Sequence, residues 1–283
     1  MAGVAIVTDS ASDLTAAVAA AHGIRVVPLY VRFGEAEFKA GVDLSTDEFW
    51  TRMLAPDAPF PATAAASPGD FQAAFEAEFD DGAEAIVCVT VGSRLSATIK
   101  SAELAARALP GREIHLVDSS SASMGVGLLA LLAADLAATG LPAAEVAARV
   151  RARVPDVDLY VALDTIEYLR KGGRLSPARA AIATVLSIKP IITVVDGIVE
   201  TADKVRTRTK ARERVIELLT TMPVERIAFL HAQAEDLDGF RAEVLARLPG
   251  GIDGRHVSTE VIGPSVGPHV GPGCVGAVVL LRR

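Results

Sequence analysis

Short apolar runs rich in valine and isoleucine alternate with longer amphipathic segments through the first half of the chain. The apolar runs predict buried strands at Val4–Thr8, Arg25–Val31, Ala85–Val91 and Glu113–Val117. The amphipathic segments predict helices at Ser12–Ala21, Thr46–Met53, Gly69–Phe79, Ser96–Leu109, Met124–Thr139 and Pro142–Arg153. Because strands and helices alternate, we expect a mainly parallel sheet covered by helices.

The pattern changes near Val154–Asp158, where a proline and two aspartates interrupt it. Beyond this point strands are predicted at Leu159–Leu163, Ile191–Val195, Ile198–Thr201, Arg226–His231 and Ala277–Leu281. Helices are predicted at Thr165–Arg170, Pro177–Val185, Lys210–Thr221 and Leu237–Leu248. The Asp196-Gly197 dipeptide is a strong hairpin signal. The sequence thus predicts an N-terminal α/β lobe over residues 1–155 and a C-terminal α+β lobe over 156–283.

The composition narrows the class of protein. Hydrophobic residues make up 51% of the 283 residues, and 28 basic against 35 acidic residues give a net charge of −7. Such an acidic chain is not expected to bind nucleic acid. Cys88 and Cys274 lack a CxxC spacing, so neither a disulfide framework nor a zinc site is expected.

The N-terminus has no basic region or cleavage-site pattern typical of a secretory signal. No stretch reaches the roughly 18 uncharged apolar residues of a transmembrane helix, so stable membrane insertion is not expected. We therefore expect a cytoplasmic protein, and we expect no resident cofactor.

The segment Val91–Lys100 follows a predicted strand and opens a predicted helix. Ser96 falls at the expected N-cap, followed by Ala97 and by Thr98 in the first turn. Free amides and the helix dipole make such a helix start an anion site, where a serine hydroxyl can donate to a carboxylate. The alternative is a serine that only caps the helix.

Thr63 lies among small residues in the segment Pro61–Pro68, just before a helix that Ser67 is expected to cap. An extended stretch of small residues beside a ligand leaves room for a chain to pass. The alternative is a plain connecting loop.

Polar turns follow two other predicted strands. Asp9 and Ser10 come at the carboxyl end of the first strand, where open α/β sheets bind ligands. Asp13 is expected to cap the next helix, with a metal held between Asp9 and Asp13 as the alternative. The turn Asp118–Gly127 resembles a phosphate loop in composition but lacks the Walker lysine, so an ordinary loop is the other interpretation.

Two features of the second half are candidates for ligand contacts. Arg170 ends a short predicted helix, where it either reaches the interface between the lobes or only complements the helix dipole. His269 lies in the glycine- and proline-rich loop Gly263–Gly273, which is stiff and lets the backbone approach a ligand closely. The alternative for His269 is a structural role.

Six cations occupy every second position from Lys204 to Arg214. In an extended segment this spacing places them on one face, whereas a helix from about Lys210 would spread the later ones. Such a stripe is a candidate docking site for an acidic partner or phosphate, with Arg206 and Arg208 as contacts. A solvated surface is the alternative.

Catalytic motifs are scarce, and the chain has neither a Walker A nor an HExxH sequence. A Ser96–His269 pair would give an acyl-ester hydrolase its nucleophile and base. The sequence shows no third member of a triad.

Seven motifs occur in an order that resembles the DegV family, the fatty-acid-binding subunits of bacterial fatty acid kinase. They are VTDSASDL, the Thr63 strand, GSRLSAT, DSSSASMGVG, DTIEYLRKGGRL, LSIKPII and GPSVGPHVGPG. The resemblance implies a two-lobed α/β protein with a long-chain fatty acid buried between the lobes. It also implies that Thr63 and Ser96 hold the carboxylate, with His269 at the same head group. A separate ATP-dependent kinase would phosphorylate this carboxylate, with Arg206 and Arg208 as candidate contacts, and the chain itself would do no chemistry.

The chain departs from the family pattern at two places near this expected head group. The family usually has Thr-Ser-x-Pro-Ser where this chain has Thr63-Ala-Ala-Ala-Ser67, and Leu-Ser-Gly-Thr where it has Ala97. The added methyl group is expected to crowd the head group or to constrain the turn. Ala97, Thr98 and Arg170 are candidates for residues that surround the head group.

A sensor of some other small carboxylate is a further hypothesis.

Overall fold

The computed structural model describes residues 3–175 and 188–283, which divide into two compact units. The first unit contains residues 1–154 together with 263–265. The second contains residues 155–262 and 266–283. The short segment 263–265 thus belongs to the unit from which it is most distant in sequence.

Strands and helices mostly alternate in the first unit, except that the second, third and fourth strands follow one another and so do the last two helices. Its strands are β1 (Val4–Asp9), β2 (Ile24–Val27), β3 (Tyr30–Phe33), β4 (Ala36–Lys39), β5 (Ala62–Ala64), β6 (Ala85–Thr90) and β7 (Glu113–Asp118). Its helices are α1 (Ala16–Ala21), α2 (Thr46–Met53), α3 (Pro68–Asp80), α4 (Thr98–Arg107), α5 (Met124–Ala138) and α6 (Ala143–Arg153).

Strands β2, β1, β6 and β7 lie side by side in that order and are all parallel. Every residue of β6 is buried, which explains why its sequence is apolar on both faces. Phe71, Phe75 and Phe79 recur at every fourth position of α3 and pack in one cluster with Val7 and Ile86 of the sheet. The predicted parallel sheet covered by helices is confirmed.

A second, antiparallel sheet has the order β4-β3-β5. The single strand predicted at Arg25–Val31 is wrong, because β2 ends at Val27 and β3 begins at Tyr30. Pro28 lies between them and has no N–H to donate to a ladder. The break allows the chain to leave one sheet and enter the other.

Helix α1 begins later than predicted. Thr15 is its N-cap and accepts a hydrogen bond from the Val18 amide at 3.3 Å, while Ser10–Ser12 form a short 3-10 turn. The prediction of a helix from Ser12 is therefore wrong by one turn. The predicted cap of α3 is confirmed, since Ser67 accepts from the Asp70 amide at 3.1 Å.

The second unit combines one sheet with helices. Its strands are β8 (Val157–Ala162), β9 (Lys189–Val195), β10 (Ile198–Val205), β11 (Val224–His231), β12 (Val257–Val261) and β13 (Val275–Leu281). Its described helices are α7 (Glu167–Lys171), α8 (Arg208–Leu219), α9 (Leu237–Arg247) and α10 (Gly267–Val270).

These strands form a mixed sheet of order β10-β9-β8-β13-β11-β12, in which only the β11–β12 pair is parallel among the described strands. Asp196 and Gly197 join β9 to β10 with φ values of 50° and 74°, as a type I′ hairpin requires. Phe229 of β11 meets Phe240 of α9 edge-on at 6.0 Å, in the core of this unit.

One helix predicted in the second half is not described, and two elements observed there were not predicted. The helix predicted at Pro177–Val185 lies outside the described residues. Strand β12 and the short helix α10 were not predicted. Among the residues that the structure describes, no helix is both long and apolar enough to cross a membrane.

Candidate functional site at the carboxyl edge of the parallel sheet

Loops from β1, β6 and β7 meet at the carboxyl edge of the parallel sheet in the first unit. The backbone amide of Val91, directly after β6, donates to Asp9 Oδ2 at 2.8 Å. The next amide, of Gly92, donates to the Ser121 carbonyl at 2.8 Å, and that of Ser93 donates to Asp118 Oδ1 at 3.1 Å. Three successive amides thus fix the start of the loop that carries Ser96.

Gly92 is needed at this crossing. A Cβ atom built on it would lie 3.1 Å from backbone atoms of Ser120 and Ser121, a distance that few real Cβ atoms show. The loops after β6 and β7 therefore approach each other as closely as their backbones allow.

Ser96 is not the N-cap of α4, which corrects the sequence prediction. Ala97 takes that position, provides no side-chain cap, and the helix begins at Thr98. The Ser96 hydroxyl instead lies 2.8 Å from the hydroxyl of the buried Thr98, while the Ser96 amide donates to the Gly92 carbonyl at 3.1 Å. The anion-site interpretation is unaffected, because the first-turn amides of α4 have no side-chain cap.

Ala97 does not strain its turn. Its φ of −76° and ψ of 4° are accessible to any L residue, and its side chain is exposed. The methyl group therefore fits this turn without backbone strain.

Thr63 lies at the centre of β5, half-buried, opposite Val31 of β3. Two residues before Val31, the amide of Leu29 donates to the hydroxyl of Ser10 at 2.8 Å. Ser10 follows Asp9, which holds the Ser96 loop. Thr63 and Ser96 are thus each connected, through neighbouring strands and loops, to the loop after β1.

Asp9 is wholly buried and accepts two amide hydrogen bonds, from Ala11 at 2.9 Å and from Val91 at 2.8 Å. Burial raises the pKa of its carboxyl group to about 6, and the two amide hydrogen bonds oppose that rise. The sequence placed Asp9 near a ligand edge but did not predict this hold on a neighbouring loop.

The sequence predicted that Asp13 caps α1, and this prediction is wrong because Thr15 is the cap. The Asp13 carboxylate accepts from the Ser123 hydroxyl at 2.5 Å and from the Gly263 amide at 3.0 Å. The Ser265 hydroxyl also lies 2.8 Å from that of Ser10, so segment 263–265 is fastened to the loop after β1. Among the described residues, no three or more histidine, cysteine, aspartate or glutamate side chains are grouped so that they could hold a metal ion.

The loop after β7 also forms hydrogen bonds within itself. Asp118 accepts from the Ser120 amide at 2.9 Å, and the Ser119 hydroxyl exchanges hydrogen bonds with the backbone of Ser121. These contacts favour the ordinary-loop interpretation over a phosphate loop.

His269 belongs to the second unit and lies in α10, largely buried. Burial, followed by the positive charge of Arg174, lowers the pKa of its imidazole to about 4. A Cβ on Gly172 would overlap the imidazole, and a Cβ on Gly271 would overlap the ring of Tyr168. The two glycines thus allow the loop and α7 to interlock around the histidine.

The arginines that the sequence selected differ in their surroundings. Arg170 pairs with Glu167 on the same helix, with Nη2 2.6 Å from a carboxylate oxygen. Arg208 forms a two-pronged pair with Asp164, which also accepts from Lys189 at 3.2 Å. Arg206 is exposed just before α8.

Of the two arrangements considered for the cations, the helical one applies beyond Arg206. Helix α8 begins at Arg208, so the later cations point in different directions. Arg212 pairs with Asp236 at 3.4 Å and Arg214 pairs with Asp203 at 2.7 Å.

A cavity of about 700 Å³ in the second unit lies beside α8 and α9. Its lining includes the Arg208–Asp164 and Arg212–Asp236 ion pairs together with Phe240. A wall of paired charges does not suit an acyl chain. We therefore do not assign to it the acyl chain that the sequence resemblance implies.

The comparisons with known proteins agree on one family. The model of the DegV family, described as a family of uncharacterised proteins, matches residues 3–282. A DegV domain-containing protein of Streptomyces coelicolor is 35% identical over 99% of each chain.

Solved structures of the same family share the fold. A fatty-acid-binding DegV family protein from Thermus thermophilus superposes with a TM-score of 0.89, at 32% identity, over 99% of this chain and 100% of its own. A stearic-acid-binding protein from Eubacterium ventriosum superposes with a TM-score of 0.88, at 25% identity, over 98% and 97%.

Proposed function

This chain belongs to the DegV family, and on that premise we propose that it binds one long-chain fatty acid through the hydroxyl groups of Thr63 and Ser96. The observation that carries the proposal is the fixed loop of Ser96. Three amides hold this loop at the carboxyl edge of a parallel sheet, where α/β folds bind ligands. The fatty-acid-binding relatives from Thermus thermophilus and Eubacterium ventriosum support the ligand class.

The proposed site has the donors that a carboxylate requires. The Ser96 and Thr98 hydroxyls lie 2.8 Å apart, so one can donate to the other while the second donates to a ligand. The first turn of α4 adds amides without a side-chain cap and the positive end of the helix dipole. These donors replace the water that a carboxylate loses on binding.

The acyl chain supplies most of the affinity. Burial of roughly 14 methylene groups at ~0.8 kcal/mol each gives a gross gain of ~11 kcal/mol. Loss of ligand freedom offsets much of this gain. The carboxylate contacts therefore fix orientation more than total affinity.

His269 is the third proposed carboxylate ligand, and its assignment rests on the family resemblance. With a pKa of about 4, its imidazole is neutral at pH 7 and donates through one ring nitrogen. A lowered pKa makes the imidazole a weak base, which favours a role in binding over general-base catalysis. We accordingly propose that the chain is not itself an enzyme.

We further propose that a separate ATP-dependent kinase phosphorylates the carboxylate that this chain presents. The chain then needs no cofactor of its own, and it acts in the cytoplasm, where ATP is supplied. Arg206 is the better of the two predicted kinase contacts, because it is exposed while Arg208 is engaged by Asp164. Formation of acyl phosphate from the loaded chain, ATP and a fatty acid kinase tests this step.

The carboxylate assignment is tested with the double variant Thr63→Ala, Ser96→Ala. A hydrogen bond to a charged group contributes about 1.5–3 kcal/mol, so we expect stearic acid to bind at least tenfold more weakly. Displacement of a fluorescent fatty acid measures the affinity.

Ser93→Ala is the matched control, since Ser93 is an exposed serine of the same loop. It should bind stearic acid like the wild type. Equal affinity of the double variant and the wild type would contradict the assignment. Hydrolysis of an acyl ester by the wild type, lost in Ser96→Ala, would instead support the hydrolase hypothesis.

A further inference from the structure

The Ser96 loop is held by two carboxylates of different character. Asp118 is half-buried, whereas Asp9 has no exposed surface. Burial of a charge is unfavourable unless it is well hydrogen-bonded, so a neutral side chain would be the simpler choice at position 9. We therefore expect the carboxylate of Asp9 to have a property that a neutral side chain lacks.

That property is the simultaneous use of both oxygens as acceptors. Oδ1 of Asp9 accepts from Ala11 in its own loop, and Oδ2 accepts from Val91 at the start of the Ser96 loop. An ionised carboxylate accepts at both oxygens, whereas the protonated group carries a hydrogen on one of them. Protonation of Asp9 thus competes directly with one of these amides.

We propose that Asp9 is a positioning residue for Ser96, and that loss of its charge loosens the Ser96 loop and releases the bound acid. The inference rests on the proposed function. The link is short, because the Leu95 and Ser96 amides both bond to the Gly92 carbonyl, at 2.9 and 3.1 Å, directly after Val91. Movement at Val91 is therefore passed to Ser96 through a single turn.

Other ionisable groups surround β1, and none duplicates this contact. Cys88 on β6 is buried, and its thiol pKa is raised by burial and by Asp9, so it stays neutral. Among the described residues, the remaining ionisable groups on the loop of Asp9 and on elements packed against β1 are Asp13, Arg25, Asp70, Glu76, Glu78, Asp80 and Asp135, and Asp118 ends the next strand, β7.

Hydrogen exchange of the loop tests the inference without any ligand. The backbone amides of residues 91–97 in the wild type should lose protection between pH 7.5 and pH 5, after correction for the chemical exchange rate. Residues 224–231 of β11 should not. Unchanged protection of residues 91–97 would overturn the inference, and this test does not depend on a variant that folds.

The pH dependence of stearic acid binding is the second test. We expect Asp9→Asn to bind about tenfold more weakly at pH 7.5, since asparagine has one acceptor oxygen. Its affinity should change at least threefold less than that of the wild type between pH 7.5 and pH 5.5. Titration of stearic acid itself is common to both proteins and cancels in this comparison.

Asp118→Ala is the control for general loosening of the loop. It removes the acceptor of the Ser93 amide but should keep the pH dependence of the wild type. If Asp9→Asn has the same pH profile as the wild type, the inference fails while the proposed function stands. If no stearic acid binds to the wild type at all, the proposed function itself fails.

Discussion

At the residue scale, burial shifts two groups of opposite chemistry toward their neutral forms. Asp9 has a raised pKa of about 6, and His269 has a lowered pKa of about 4. Desolvation is the main cause in both, because a charged group loses more hydration free energy than a neutral group when water is removed. Strongly shifted groups are common at functional sites, which agrees with the proposed roles of both residues.

The titration of His269 is the prediction that belongs to this scale. Its pKa in the folded protein lies below the usual 6.5, so its contribution to stability is present above pH 6.5 and is lost as the pH falls toward 4. The imidazole should therefore show neutral ¹⁵N chemical shifts at pH 5.5 in NMR spectra.

Stearic acid should raise this pKa if the imidazole contacts the carboxylate, because a nearby negative charge favours the imidazolium form. The His231 signal serves as an internal control, since its pKa is also lowered by burial. A His269 pKa near 6.5 in the free protein would contradict the structure. A pKa unmoved by stearic acid would contradict the head-group assignment.

At the element scale, the sequence predicted long periodic elements well and irregular ones poorly. Helix α2 has the predicted bounds, Thr46–Met53, because a capping box marks its start. Strand β12, Val257–Val261, was missed because three of its five residues are polar and offer no apolar run. Helix α10 was missed because glycine and proline open its four residues.

In the candidate site, too, local motifs were predicted better than contacts between distant residues. The motifs located Ser96 and Asp9 near a ligand edge, but local propensity could not distinguish Ser96 from Ala97 as the cap of α4. The contact of Asp9 with Val91 joins positions 82 residues apart. Contacts over such distances depend on strand order, which a single sequence does not specify.

Gly271→Ala tests the interlocking of α7 with the glycine-rich loop. The φ of 71° and ψ of 175° at this position are essentially restricted to glycine, and a Cβ would overlap Tyr168. We expect a loss of about 2–4 kcal/mol in the free energy of unfolding, from backbone strain and overpacking together.

Gly250→Ala is the matched control, because its φ of 76° is similar but its Cβ would meet open space. It should lose only the backbone contribution, about 1 kcal/mol. Urea denaturation measures both variants. Equal losses would show that Tyr168 does not restrict position 271.

At the scale of the whole molecule, segment 263–265 makes contacts that the sequence pattern did not predict. Gly263 bonds to Asp13 and Ser265 to Ser10, across 250 and 255 residues. Composition and periodicity predicted two lobes but did not predict that residues 263–265 belong to the first unit. The ordered motifs were more informative than any local pattern, because seven weak signals in one order indicated a family and hence a ligand class.

The most direct test of fatty-acid binding is native mass spectrometry of the gently purified chain incubated with stearic acid. The Thermus thermophilus relative, described as fatty-acid-binding, serves as the positive control. The account predicts one added stearic acid per chain, and a much weaker signal from Thr63→Ala, Ser96→Ala. The mass of the unliganded chain alone, with the control protein loaded, would contradict it.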